Sequence, residues 1–183
     1  MLPAPQGVSS SAPIYGVRVR TENDADDRDR DPRGRARNAR PRDVLGRPLA
    51  YGEVGVEPVP EDLVLAPEAS LAEAQRLFEV GRPFQAHEVL EASWKAAPEG
   101  ERELWRGLAQ LAVGVTHLAR GNLSGGVRLL QRGASHVAPY AAAPPHGIDV
   151  AGLGAWAAAL AEAVSTGGVN PATTPPPVPR LRC

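Results

Sequence analysis

Residues 70–137, SLAEAQRLFEVGRPFQAHEVLEASWKAAPEGERELWRGLAQLAVGVTHLARGNLSGGVRLLQRGASHV, decide the fold. Ser70-Leu71-Ala72-Glu73 has the capping-box pattern and predicts a helix from about Leu71 that stops at Gly81. Pro83 stands where proline is welcome, at the first position of a second helix over PFQAHEVLEASWKAA, which ends before Pro98-Glu99-Gly100. The third segment, ERELWRGLAQLAVGVTHLAR, is the longest and most apolar, and Gly121 closes it. Asn122 caps a fourth through LSGGVRLLQRGASHV, broken by Pro139. Beyond this stretch, Asp149 caps a fifth, VAGLGAWAAALAEAV, ended by Gly167-Gly168. No segment alternates with period two and nothing repeats. The expectation is all-α: a compact array of about five helices over residues 68–166, with disordered N- and C-terminal tails.

Composition agrees with this partition. Of 19 prolines in 183 residues, only two fall in 68–138, against nine in 1–67 and eight in 139–183. Residues 1–67 are therefore expected to be disordered or extended, with 44–67 lying along a domain surface, and 167–183 to be a disordered proline-rich tail. Its PPPVPR string also has the form of a PxxP ligand. Six acids crowd into Glu22–Asp31 and five arginines into Arg33–Arg42. A basic arm for nucleic acid is one reading of the arginines. With a net charge of −1 and 19 arginines to one lysine, a self-neutralising solvated linker is preferred and nucleic acid is not expected. The only cysteine, Cys183, excludes a disulfide scaffold, and no apolar run is long enough to span a membrane. Residues 1–20 lack the pattern of a secretory signal, so the expected compartment is cytoplasmic.

The aromatics Phe78, Phe84, Trp94 and Trp105 sit close together in sequence, and polar residues are interleaved with them. On a helical wheel with His87 at zero, Trp94 falls at about −20°, Glu91 at about +40° and Phe84 at about +60°. Glu91 is then flanked by two aromatics on the face expected to be buried, with Glu88 at its edge. A carboxylate there requires partners. On the third helix Arg106, Gln110 and His117 share a stripe, with Gly107 and Gly114 beside it to admit a neighbouring helix closely. Antiparallel packing of the second and third helices brings this stripe towards His87 and Glu91, under Trp94.

This constellation admits three alternatives. One is a satisfied polar network, with Glu91 bonded to Arg106, Gln110 or His117, or else at the rim and paired with Lys95. A second is a metal site of His87, Glu91 and His117, since HEVLE is H-E-x-x-H with Glu in place of the second His. A third is a small-ligand or catalytic pocket with His87 or His117 as acid/base and Glu91 orienting it. His136 is expected to cap the end of the fourth helix, and His146 to join no constellation. There is no dinucleotide or phosphate-binding loop and no nucleophile elbow; Gly125-Gly126 reads as a close helix contact.

GRPFQAHEVLEASW followed by ERELWRGLAQLAVGVTHLARGNLSGGVRLL resembles the proteins grouped as domain of unknown function 309, over roughly residues 70–135. The residues that carry the resemblance are A-H-E-x-L-E-x-x-W, G-L-x-Q-L-A, the following His and R-G-N. RPRDVLGRPLAYG upstream is similar to the N-terminal extension of some relatives. The resemblance implies a compact all-helical domain and marks His87, Glu88, Glu91, Trp94, Gln110, His117 and Asn122, without supplying an activity. Gly126 stands where relatives tend to carry Ala. The functional expectation is a helical domain whose inter-helix polar pocket binds a small ligand or ion. Its alternatives are a metal-assisted hydrolase using His87, Glu91 and His117, and an interaction protein in which the cluster only stabilises packing. Cofactor and partner are unassigned, and a homo-oligomer is left open.

Overall fold

A computed structural model describes residues 40–60 and 62–183. The acid-rich run and the arginines from Arg33 to Arg37 lie outside the described residues. Five helices follow in order: α1 (Pro67–Glu79), α2 (Pro83–Ala96), α3 (Arg102–Ala119), α4 (Leu123–Val137) and α5 (Val150–Ser165). Short 3-10 turns occupy Glu99–Glu101, Ala138–Tyr140 and Pro145–Gly147. Among the described residues there is no β-strand, only isolated backbone bridges of Arg42 with Pro48 and Val56, and of Ile148 with Arg182. The fold is all-α, and no helix is long and apolar enough to cross a membrane among the described residues.

The local signals work as chemistry. Asn122 accepts a hydrogen bond from the Gly125 amide at 3.0 Å, and Asp149 one from Gly152 at 2.8 Å, each satisfying an orphan donor of the first turn. Pro83 opens α2. The start of α1 differs from the expectation: the helix begins at Pro67, not near Leu71. Pro67 has the φ of a helix and no N–H to waste, and Glu68 meets the positive end of the helix dipole. Ser70 and Glu73 are thereby drawn inside the helix, and Glu73 pairs with Arg76 at 2.6 Å.

Each helix packs on the next, and α3 lies between α2 and α4. Its Leu104, Trp105, Leu108, Leu111, Ala112 and Leu118 are buried, together with Leu71 and Leu77 of α1, Leu90 of α2, Leu130 of α4 and Leu153 of α5. The α3–α4 seam is the tightest. A Cβ placed on Gly107 would lie 2.9 Å from the Gly133 carbonyl oxygen, and one on Gly133 would lie 2.9 Å from the Gly107 carbonyl. Seven residues along, a Cβ on Gly126 would meet buried Leu118 and stand 3.0 Å from the Gly114 carbonyl. The pairing of 107 with 133 and 114 with 126 makes the helices antiparallel and sets them backbone to backbone. The close approach expected of Gly107, Gly114 and Gly126 is what they supply.

Both flanking segments lie on this bundle. Residues 41–59 rest on α2 and the end of α3, where Gln85 of α2 hydrogen-bonds the Glu57 carbonyl and Arg120 that of Leu45. The C-terminal segment departs from the free tail expected over 167–183. Pro179 and Leu181 are buried, Leu181 to 2 % exposure, and the Asp149 amide donates to the Leu181 carbonyl at 3.0 Å. Proline-rich composition signals an extended chain correctly; it does not reveal that alternate residues of that chain have an apolar surface to enter.

We predict that Gly133→Ala lowers stability by about 1–3 kcal/mol, because the methyl must displace backbone or Leu111. Gly154→Ala in α5, where a Cβ meets nothing within 4 Å, raises it by roughly 0.5–1 kcal/mol. Urea unfolding midpoints of the two variants should move in opposite directions.

Candidate functional site

Helix α2 turns Gln85, Ala86, Val89 and Leu90 inward. That arc runs from Gln85 at about +160° through Val89 and Ala86 to Leu90 at about −60°, beside Trp94 but short of Glu91 at about +40°, so Glu91 is not held in the core between aromatics as expected. It sits at the rim, its side chain 34 % exposed, with Lys95 Nζ at 3.1 Å and His87 Nε2 at 3.8 Å. Small and branched residues fit against α1 and α3, whereas the Phe84 ring is covered from outside by the N-terminal segment. Gly46, at φ +75°, presses its backbone onto that ring so closely that a Cβ there would collide with it. The guanidiniums of Arg42 and Arg120 each stand 5.5 Å from the ring centroid.

The same covering governs the charges. Burial pushes the Glu88 carboxyl up to about 7, against the Arg42 charge and a hydrogen bond from the Val59 amide. Burial also holds the His87 imidazole below its ordinary value, Glu91 opposing and Lys95 assisting. The Nδ1 of His87 is buried without a hydrogen-bond partner among the described residues, as is Gln110 Oε1.

The residues of the α3 stripe have separate surroundings. Arg106 pairs with Glu103 of its own helix at 3.4 Å. Gln110 is half-buried, and Trp94 likewise. His117 belongs to the α3–α4 turn, with Nδ1 2.9 Å from Asn122 Nδ2. Because Asn122 Oδ1 accepts from Gly125, its amide nitrogen donates to His117, which must be neutral at Nδ1. Burial and then the Arg120 charge hold His117 below its ordinary value. Among the described residues no group of three or more His, Cys, Asp or Glu is arranged to hold a metal ion, so the expected trio of His87, Glu91 and His117 is not one. A cavity of about 10 Å³ under Leu63, Val89 and Ser93 admits no ligand. An open groove of about 550 Å³ runs between α1 and Val178–Arg182. Neither includes any of the eight expected residues.

Two histidines behave differently from expectation. His136 does not serve the end of its own helix; its Nδ1 reaches Glu103 of α3 at 2.6 Å. His146 is not isolated: Nε2 is 2.8 Å from Glu101 and Nδ1 3.3 Å from Glu68, with Trp105 against its ring. The partners are 45 and 78 residues away in sequence. The one local signal is the turn string Pro144-Pro145-His146-Gly147, which fixes a bend and says nothing of what the ring meets.

Residues 71–129 match the family model described as domain of unknown function (DUF309), which bears out the resemblance from α1 into α4. No curated protein and no solved structure matches the chain.

Two titrations follow. Glu88 binds its proton more readily folded than unfolded, so its stabilising contribution is complete below about 4.5 and is lost as pH rises through about 7. Glu88→Gln is expected to match the wild type at pH 4.5 and exceed it at pH 8 by the order of 1–2 kcal/mol, discounted for partial exposure; unfolding midpoints at the two pH values check this. His117 carries the opposite sign: its contribution is complete above about 6.5 and falls as pH drops below it. Asn122→Ala is expected to cost about 1 kcal/mol at pH 7.5. The advantage of wild type over His117→Gln should shrink between pH 7.5 and 5.5.

Proposed function

We propose that the protein is a non-catalytic binding domain that holds extended polypeptide along its helices, and that its own flanking segments are the occupants in cis. The carrying observation is where the helix side chains send their hydrogen bonds. Gln85 donates to the Glu57 carbonyl, and Arg120 Nε to that of Leu45 at 2.8 Å. On the other flank Gln75 accepts from the Leu181 amide at 3.0 Å, and Trp156 Nε1 donates to the Pro177 carbonyl at 3.0 Å. Bonds to main chain give affinity that tolerates many sequences, and pockets for alternate side chains give register. Gly46 on the Phe84 ring and Leu181, the buried side chain of the tail, are such register points. In this reading His87 and Glu91 support the platform from its edge, and no reaction is asked of them. The exposed thiol of Cys183 suits a reducing compartment, and we place the chain in the cytoplasm.

The test uses Gly46→Val in the full chain, which drives a β-branched residue with positive φ into the Phe84 ring and expels the segment. A labelled peptide of residues 41–59 is expected to bind this variant at least tenfold more tightly than wild type (about 1.4 kcal/mol). Adding Gln85→Ala and Arg120→Ala should abolish the gain. No binding to a Gly46→Val chain of unaltered helical circular dichroism would overturn the reading.

A further inference from the structure

Residues 138–149, between α4 and α5, hold the only non-glycine residue with positive φ among those described, His146 at 57°. An L-residue resists that conformation unless its surroundings impose it. What surrounds the ring is a carboxylate on each nitrogen: Glu101 of the turn before α3 at Nε2, and Glu68 of the first turn of α1 at Nδ1. Carboxylates only accept, so a ring serving both must carry both protons. Glu101 is itself fixed by the Trp105 indole, which donates to the same oxygen at 3.1 Å. The remaining charge at this corner is Arg182 of the C-terminal segment, whose guanidinium lies beside Gly147 and acts on Glu68. Tyr140 of the Ala138–Tyr140 turn spends its hydroxyl on the Gly100 carbonyl at 2.9 Å.

The residues next to His146 hold the end of the chain. Gly147 accepts from the Cys183 amide at 3.2 Å, Asp149 donates to Leu181, and Ile148 bridges to Arg182. The ring therefore joins three elements: α1, the start of α3, and the connector on which residues 181–183 are bonded.

We propose that His146 is a proton-operated clasp: as imidazolium it fastens the connector to Glu68 and Glu101 and keeps residues 181–183 in place beside α1, and on losing a proton it releases them. This is independent of whether the domain binds other polypeptides. The electrostatics run the same way. Burial disfavours the proton, but hydrogen bonds and charge from Glu101 and Glu68 outweigh it and hold His146 above its ordinary value. Glu101 is held low first by its bond to His146, and Glu68 by its own backbone amide and then by His146. A raised histidine stabilises fully below about 6.5, and that contribution is lost as pH climbs through the folded value. The clasp thus closes in mild acid and opens in base, opposite to His117.

Amide hydrogen exchange of the full chain tests this between pH 6 and 8.5, with rates corrected for intrinsic base catalysis. Protection of the Leu181 and Cys183 amides is expected to fall at least tenfold over that range while α3 amides keep theirs. His146→Asn, which tolerates positive φ and cannot titrate, should show low protection at both pH values. Wild-type protection that does not change with pH, or an equal fall in His146→Asn, would overturn the proposal. So would a carbon-detected titration of the wild-type ring with its midpoint at or below 6.5, a measurement that needs no variant.

Discussion

The contact on which the rest of the structure depends is the backbone-to-backbone approach of α3 and α4 at Gly107–Gly133 and Gly114–Gly126. Each pair removes two side chains from the seam, so carbonyls stand where methyl groups would otherwise be. The leucines beside them, Leu111, Leu118 and Leu130, then close over the gap and are fully excluded from water. Helices at this separation have little freedom to slide or roll. The end of α4 is thereby fixed over the start of α3, which brings His136 to Glu103, Tyr140 to Gly100 and His146 to Glu101. At the other end the short turn holds Asn122 against His117 and directs Arg120 towards Leu45.

Seen from that seam, the polar residues of the domain have a common use. They do not gather around a cavity. Gln75, Gln85, Arg120 and Trp156 face the two flanking segments and take up amides and carbonyls of those segments. An extended segment on a helical surface carries unsatisfied backbone groups at every residue, and either water or a side chain must meet them. The bundle provides side chains on both flanks. Glu88 and His146 add titrating groups to the two flanks, one losing its contribution as base ionises a covered carboxyl, the other as base removes a proton from a ring between two carboxylates.

Much of this was legible in the chain. Asn122 and Asp149 announce their caps because capping is decided within three residues, and Pro83 announces α2 for the same reason. The glycines at 107, 114 and 126 could be read as a close contact from their helical spacing alone. Glu91 could not be placed, because α2 is apolar on more than one side: Phe84 and Trp94 mark one arc and Ala86, Val89 and Leu90 another. Choosing between them needs to know that a segment from residues 41–59 returns to cover Phe84. His146 and Leu181 were illegible for a related reason. Their partners lie 32 to 106 residues away, and a proline-rich string carries no periodicity that points to them.

A rigid α3–α4 bundle that carries two separately held extended flanks must open in parts. Native-state hydrogen exchange on the full chain in low denaturant measures this directly. The amides of Leu49 and Val56, bonded to Pro41 and Arg42, and those of Leu181 and Cys183 are expected to be protected yet to open in two local steps well below global unfolding. Amides of α3 and α4 should open only with the whole domain. Unprotected amides in both flanks, or flanks that open only together with α3, would contradict it.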